Sequence, residues 1–373
     1  MKKLSPEELQ RFLQALASTT SLVAPVREDG QVLFRPIVPS PVTASGTQAG
    51  GATVEATPGA EGGAWHVRDI VLDYVNTVRS GKELFFPQTE VMFRFQPSPA
   101  AAIEVVEPTG QTVLFGIRPC DLAALGVLDA LFLGGDYQDA YYRGRRENTV
   151  LVGMACSQPD VTSCFCTAFG ITPGSSEMAD LMLYPGAGWY ALEVLTAKGE
   201  QLLERLTGAG LGTLGEAGAE ATALAEEYRR KPVPLGDALT AGDLWKELDD
   251  RFADPYWEEA SRRCLGCGIC TYLCPTCHCF LVTDEMKRDQ GLRLRCWDSC
   301  QFDDFLLMAG GHNPRPTKKE RTRQRFLHKL NYFPHRYGRY LCTGCGRCVL
   351  HCPVGLDMAT VLGDLKGVTA HVG

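Results

Sequence analysis

Two short cysteine runs in the last third of the chain share one spacing. The first reads Cys264-Leu-Gly-Cys267-Gly-Ile-Cys270-Thr-Tyr-Leu-Cys274-Pro275. The second reads Cys342-Thr-Gly-Cys345-Gly-Arg-Cys348-Val-Leu-His-Cys352-Pro353. Both fit C-x2-C-x2-C-x3-C-P, the ligand spacing of ferredoxins that carry two [4Fe–4S] clusters. Three thiolates separated by two residues each wrap one cubane corner by corner, with the loop amides turned toward its sulfurs. Gly266, Gly268, Gly344 and Gly346 let the backbone bend closely around it. The fourth Cys lies on the element leaving the loop, and in this architecture it ligates the other cluster. The expected ligands are Cys264, Cys267, Cys270 and Cys352 for one cluster, and Cys342, Cys345, Cys348 and Cys274 for the other. Such cross-ligation forces the two runs face to face and brings the clusters close together, as electron transfer requires.

Other readings of these runs fit less well. Zinc ribbons use four ligands, usually as two C-x2-C pairs, whereas each run here holds four Cys and is closed by Pro. Cys274-Pro-Thr-Cys277-His278 matches the c-type haem attachment pattern. Cys274 already has a ferredoxin role, however, and the start MKKLSPEELQ lacks the apolar stretch of an export signal. Gly210-Leu-Gly212-Thr-Leu-Gly215 matches a dinucleotide fingerprint, but it follows a helical stretch, Gln201–Leu206, rather than a strand.

Twelve of the 16 cysteines lie between Cys264 and Cys352. Thiols at this density in a cytosolic chain point to metal rather than to disulfides. A cytoplasmic location is expected, because no apolar run approaches the ~18 residues of a membrane helix. The 37 Lys and Arg against 44 Asp and Glu give a net charge of −7, which argues against a nucleic-acid partner. At 373 residues the chain has room for two domains of roughly 100–200 residues each.

The first half reads as α/β. Ser5 and Glu8 form a capping box with Pro6, and Leu9, Phe12, Leu13 and Leu16 give residues 5–18 one apolar helical face. Residues 22–37 alternate around Glu28-Asp29-Gly30, as in a hairpin. Residues 39–63 read as a loop rich in small residues, and 66–80 as a helix. Thr112–Ile117 and Thr149–Gly153 are short apolar runs separated by two helical stretches, Leu122–Phe132 and Tyr137–Arg145. That order is a βαβ-type unit with parallel strands. Cys120 and Cys156 follow the ends of these two strands, and Cys164-Phe-Cys166 follows in the same loop. Ligand sites in open α/β sheets gather at that edge. Cys120, Cys156, Cys164 and Cys166 would suffice for a third [4Fe–4S] cluster. They read equally well as buried thiols in a tight loop, because C-x7-C-x-C is not a standard run.

Cys277, Cys279, Cys296 and Cys300 remain, and small buried thiols around a cluster are their default role. Lys318–Tyr340 carries eight Lys or Arg and one Glu. A solvated helix face is the default there. A docking face for an acidic partner, or positive charge that raises a cluster potential, is the alternative.

GIRPCDLAALGVLD, CFC, CLGCGICTYLCPTCHCF, WDSC, GGHNPRP and CTGCGRCVLHCPVGLD together resemble the iron–sulfur beta subunit of cytosolic sulfhydrogenases and related nickel–iron hydrogenases. The iron–sulfur subunit of anaerobic sulfite reductase is similar. The resemblance covers residues 66–373, and Cys296 has no place in the family pattern. It implies a dicluster electron-transfer subunit beside a flavin- and NAD(P)-binding reductase subunit, with a separate hydrogenase-type or sulfite-reductase-type catalytic subunit. An equivalent role in a heterodisulfide-reductase-type complex is a further alternative. Two other classes remain open. One is a self-sufficient small-molecule reductase with Arg118, Cys120 and Asp121 lining a substrate site. The other is a structural metal protein without redox activity. The expected architecture is α+β: an N-terminal α/β domain (1–236), then a ferredoxin-like dicluster domain (237–373) with a long insertion at 275–341. No acid–base or nucleophilic residue is assigned.

Overall fold

The structure, a computed structural model, describes residues 1–39, 64–96, 102–106, 108 and 110–368. Its strands are β1 (Lys2–Leu4), β2 (Ser21–Glu28), β3 (Gln31–Val38), β4 (Trp65–His66), β5 (Thr89–Gln96), β6 (Ala102–Val105) and β7 (Thr112–Ile117). There follow β8 (Thr149–Met154), β9 (Leu181–Pro185), β10 (Tyr190–Val194), β11 (Gly215–Glu216), β12 (Phe280–Lys287) and β13 (Gln290–Trp297). Nine of them form one sheet in the order β11-β1-β10-β9-β8-β7-β2-β3-β4. Its centre, β2-β7-β8-β9, is parallel.

The apolar runs of β7 and β8 are buried on both faces, as strands covered by helices on each side require. The helix Pro6–Thr19 has its capping box in place and buries Leu9, Phe12, Leu13 and Leu16. Together with the helix Ala197–Leu206 it covers the face bearing Val113, Phe115, Val150 and Val152. The helices Pro119–Phe132, Ala140–Glu147 and Ala219–Arg229 supply the buried residues of the other face. The hairpin β2–β3 turns at Asp29 and Gly30, whose φ values are 47° and 77°. A turn with two positive φ angles matches the strand twist.

One expected element does not form. Residues 66–80 contain only a short 3-10 turn, Val67–Asp69, instead of a helix. Their backbone is taken up by neighbours: Val71 N–H donates to Pro25 O at 2.8 Å and Val78 N–H to Val32 O at 3.0 Å. The carbonyls of Leu72 and Tyr74 accept from Arg118. Those tertiary partners take the place of the hydrogen bonds a helix would make. The loop read at 39–63 lies, from residue 40 on, outside the described residues.

A further core, drawn mainly from the C-terminal half, buries Trp257, Phe326, Leu330, Val361 and Leu362 together with Phe165 and Ala168 of the first half. Within the 275–341 insertion, β12 and β13 form a hairpin that continues into β5 and β6, giving a second sheet in the order β12-β13-β5-β6. Arg295 of β13 is buried there and paired with Glu90 of β5 and with Asp139. The insertion is thus sewn onto the first half. The whole is an α+β protein.

Candidate metal centres

Cys264, Cys267 and Cys270 come together around the short helix Ile269–Tyr272, and Cys352 arrives from the end of the second run. These four line one pocket, with Gln301 and Arg325 in its wall. Gly268, at φ 75°, makes the entry to the helix, and a Cβ there would lie 2.7 Å from the Phe302 ring. Backbone amides already point at sulfur: Gly266 N–H donates to Cys264 Sγ at 3.4 Å and Leu356 N–H to Cys352 Sγ at 3.2 Å. Burial pushes the Cys270 thiol up, and the neighbouring Arg325 charge opposes it. Arg325 is only 4% exposed and spends Nη1 on Leu356 O at 3.1 Å, while its buried Nε has no partner among the described residues. Cys267 is exposed, beside the exposed side chains of Leu265 and Ile269.

Cys342, Cys345 and Cys348 surround the start of the helix Arg347–His351. Cys274 faces them closely enough that a charge on it raises both Cys342 and Cys345. Burial pushes Cys342 up to about 12 and is the leading effect on Cys345 and Cys348, both also raised. Lys329 is buried and aims at this group, its Nζ lying 3.3 Å from Cys274 Sγ, 2.9 Å from Thr276 Oγ1 and 3.0 Å from Leu341 O. The Cys274 thiol is held well below its ordinary value, first by a hydrogen bond from Cys277 and, against burial, by the Lys329 charge.

Cys120, Cys156, Cys164 and Cys166 line a separate pocket, shared with Asn76, Arg118, Gly344 and Cys345. Asp160 folds the loop that carries two of them: Cys164 N–H donates to its carbonyl at 2.9 Å, and Ser163 N–H to its Oδ1 at 3.0 Å. Burial pushes Cys164 and Cys166 up to about 12.

The donor sets are all soft thiolates, which suit iron–sulfur clusters. Among the described residues no three His, Cys, Asp or Glu side chains converge on a single-ion point. A four-iron cube sets its thiolates further apart than one ion does. Sulfur-directed amides and the orphaned Arg325 Nε fit an anionic cluster in the first pocket.

Residues 263–356 match the family model of the 4Fe-4S dicluster domain. The chain is 33% identical over 308 residues to sulfhydrogenase 2 subunit beta of Pyrococcus furiosus, a match that spans 80% of this chain and 86% of that one. The chain belongs to the sulfhydrogenase beta-subunit family. As a member of that family it is an iron–sulfur electron-transfer subunit of a multi-subunit complex, with [4Fe–4S] chemistry in its C-terminal part. Among the described residues no helix is long and apolar enough to cross a membrane.

Two features of the site were not assigned from the sequence of this family member. The basic stretch 318–340 is not uniformly solvated: Lys318, Arg336 and Arg339 are exposed, but Arg325 and Lys329 turn inward onto the thiols. Their spacing of four places them on one helical face, beside the buried Phe326 and Leu330 stripe, and that was the available signal. The leftover thiols are also paired. Cys277 pairs with Cys274 and Cys279 with Cys300, and the Cys279 thiol holds Cys300 below its ordinary value. Cys296 sits on β13 opposite Leu281 and Thr89.

Proposed function

We propose that the chain relays single electrons between a flavin- and NAD(P)-binding reductase subunit and a hydrogenase-type catalytic subunit. Cys264, Cys267, Cys270 and Cys352 would hold one [4Fe–4S] cluster, and Cys342, Cys345, Cys348 and Cys274 the other. The observation that carries this reading is the crossing of ligands: Cys352, from the second run, lines the same pocket as the three leading cysteines of the first. When bound, the clusters supply reversible one-electron chemistry. The protein's share is ligation, exclusion of water and charge compensation. Arg325 serves both sets, since the charges of Cys270 and Cys348 act on it alike. The surface at Cys267, Leu265 and Ile269 brings one ligand set to solvent, where a partner subunit can dock. Residues 237–373 would form the dicluster unit and 1–236 the α/β unit that supports it, with the β12–β13 hairpin reaching back across that boundary.

The test uses the assembled complex. Cys270→Ala or Cys348→Ala should each remove one cluster and interrupt electron flow between subunits, while the catalytic subunit keeps its activity with an artificial donor. Full flux in either variant would overturn the relay. A native pull-down that brings a nickel–iron subunit supports the hydrogenase assignment; a sirohaem subunit in its place would replace it with the sulfite-reductase type.

A further inference from the structure

We propose that the N-terminal half holds a third [4Fe–4S] cluster, bound by Cys120, Cys156, Cys164 and Cys166 and seated directly against the second ligand run. The proposal extends the relay reading but stands on its own residues.

The topology delivers the ligands. β7 and β8 are parallel neighbours, with Ile117 beside Gly153, so both open at the same sheet edge. Cys120 follows β7 at the first turn of the helix Pro119–Phe132, and Cys156 follows β8. The Asp160 loop then returns Cys164 and Cys166 to the same place. The irregular spacing follows from this layout, because the ligands come from two strand ends and a returning loop rather than from one ferredoxin turn.

The pocket is built for an anion. Like the pocket around Cys264, Cys267, Cys270 and Cys352, it is lined by a set of four cysteines and one buried arginine. Arg118 is only 2% exposed and stacks on Tyr74, with 4.0 Å from its Cζ to the ring centroid. Its Nη1 donates to Ala155 O at 2.8 Å and its Nη2 to Tyr74 O, while Nε has no partner among the described residues. Leaving a buried charged donor unpaired is costly. Cluster sulfide or thiolate sulfur would supply the acceptor. Arg325 stands in the same state in the first pocket, so each of these two cysteine-lined pockets carries one buried arginine with a free Nε.

The site also abuts the second run. Phe165 N–H donates to Gly344 O at 2.9 Å. Asn76 Nδ2 donates to Cys345 O at 2.6 Å, and Cys120 Sγ lies 3.8 Å from Asn76 Oδ1. Cys345 lines the pocket itself. A cluster here would stand next in line to the one expected at Cys342, Cys345 and Cys348. On binding, the four thiols enter as thiolates and their protons leave to solvent.

The test is iron and acid-labile sulfide per full-length chain, purified anaerobically. About twelve of each is expected, four per cluster. Cys164→Ser with Cys166→Ser should lower the count to about eight, and Cys348→Ala should lower it by about four independently. About eight in the wild type, unchanged by the N-terminal double variant, would overturn the third site. A count that only the N-terminal variant lowers would support the third site while defeating the two-cluster relay. The wild-type count needs no variant, and it decides alone should the double variant fail to fold.

Discussion

Asp121 and Arg347 meet as a bidentate ion pair, with Nη1 to Oδ1 at 2.6 Å and Nη2 to Oδ2 at 2.8 Å. Both side chains are buried, and Arg347 also donates to Thr77 O at 2.8 Å. Asp121 follows Cys120, and Arg347 stands between Cys345 and Cys348. The pair therefore pins a thiol-bearing element of each half to the other. Removing one partner strands a buried charge, which costs about 3–5 kcal/mol. Asp121→Ala should lower stability by that amount, read as a shift in denaturation midpoint under anaerobic conditions. Asp121→Ala combined with Arg347→Met should be less destabilised than Asp121→Ala alone, because no lone charge remains.

Gly344 gives a sharper test of the contact between the halves. Its φ is +61°, and a Cβ there would lie 2.3 Å from Phe165 O and 2.6 Å from Cys166 Cα. Backbone cannot yield as a flexible side chain does. Gly355 has the same φ of +61° with nothing within 4 Å of its would-be Cβ. Gly355→Ala should cost only the left-handed strain, about 1 kcal/mol. Gly344→Ala should cost several kcal/mol more and reduce bound iron, since it separates the Cys342–Cys348 loop from the 163–166 loop. Equal thermal midpoints and iron contents for the two variants would contradict this packing.

These contacts mark where sequence reading succeeds. The helix at Pro6–Thr19 and the turn at Asp29-Gly30 are written in neighbouring residues, a capping box and a two-residue reversal. The buried strands β7 and β8 are legible as apolar runs bounded by turn residues. The shared spacing of the two cysteine runs announces [4Fe–4S] ligation. Residues 66–80 mislead because Val32, Pro25 and Arg118, distant in sequence, take their backbone groups. Arg325 and Lys329 are hidden for a similar reason. In sequence they are two charges among eight, and only the packing of Phe326 and Leu330 into the C-terminal core turns them inward. The pairing of β13 with β5 has no local signal at all.

Stability should fall in mild acid through a pair of histidines. His278 and His328 meet edge to face, with ring centroids 5.4 Å apart. Burial lowers His278 from 6.5 to about 4, with the Lys329 and Lys82 charges adding to the effect. Burial likewise lowers His328 to about 3, helped by His278, Lys329 and Arg315. Both rings are neutral in the folded chain and take up protons when it unfolds below pH 6.5. The unfolded state thus binds more protons, and stability rises with pH across the window from about 4 to 6.5. Both residues are half-buried, so the loss by pH 5 is about 1–2 kcal/mol per residue. His328→Phe should flatten the dependence of the denaturant midpoint between pH 7 and pH 5. An unchanged slope would show that these rings are not the source.

Lys329 should set the potential of the cluster expected at Cys274. Its ammonium lies 3.3 Å from Cys274 Sγ and is buried, so solvent screens it little. Adding an electron makes a cluster more negative, and a fixed positive charge favours that state. A unit charge at ~6 Å in an effective dielectric of ~20 contributes about 3 kcal/mol, and about 1.4 kcal/mol corresponds to ~59 mV for one electron. Lys329→Met should therefore move one midpoint potential negative by roughly 100 mV and leave iron content unchanged. Lys329→Arg, which keeps the charge, should move it far less. Redox titration followed by EPR separates the cases. If the potential stays put in Lys329→Met while iron is retained, the charge does not act on that cluster. If iron is lost instead, Lys329 serves to hold Cys274 and Thr276 in place, and Lys329→Arg should then lose iron as well, because the longer planar side chain cannot keep the three short contacts at Cys274, Thr276 and Leu341.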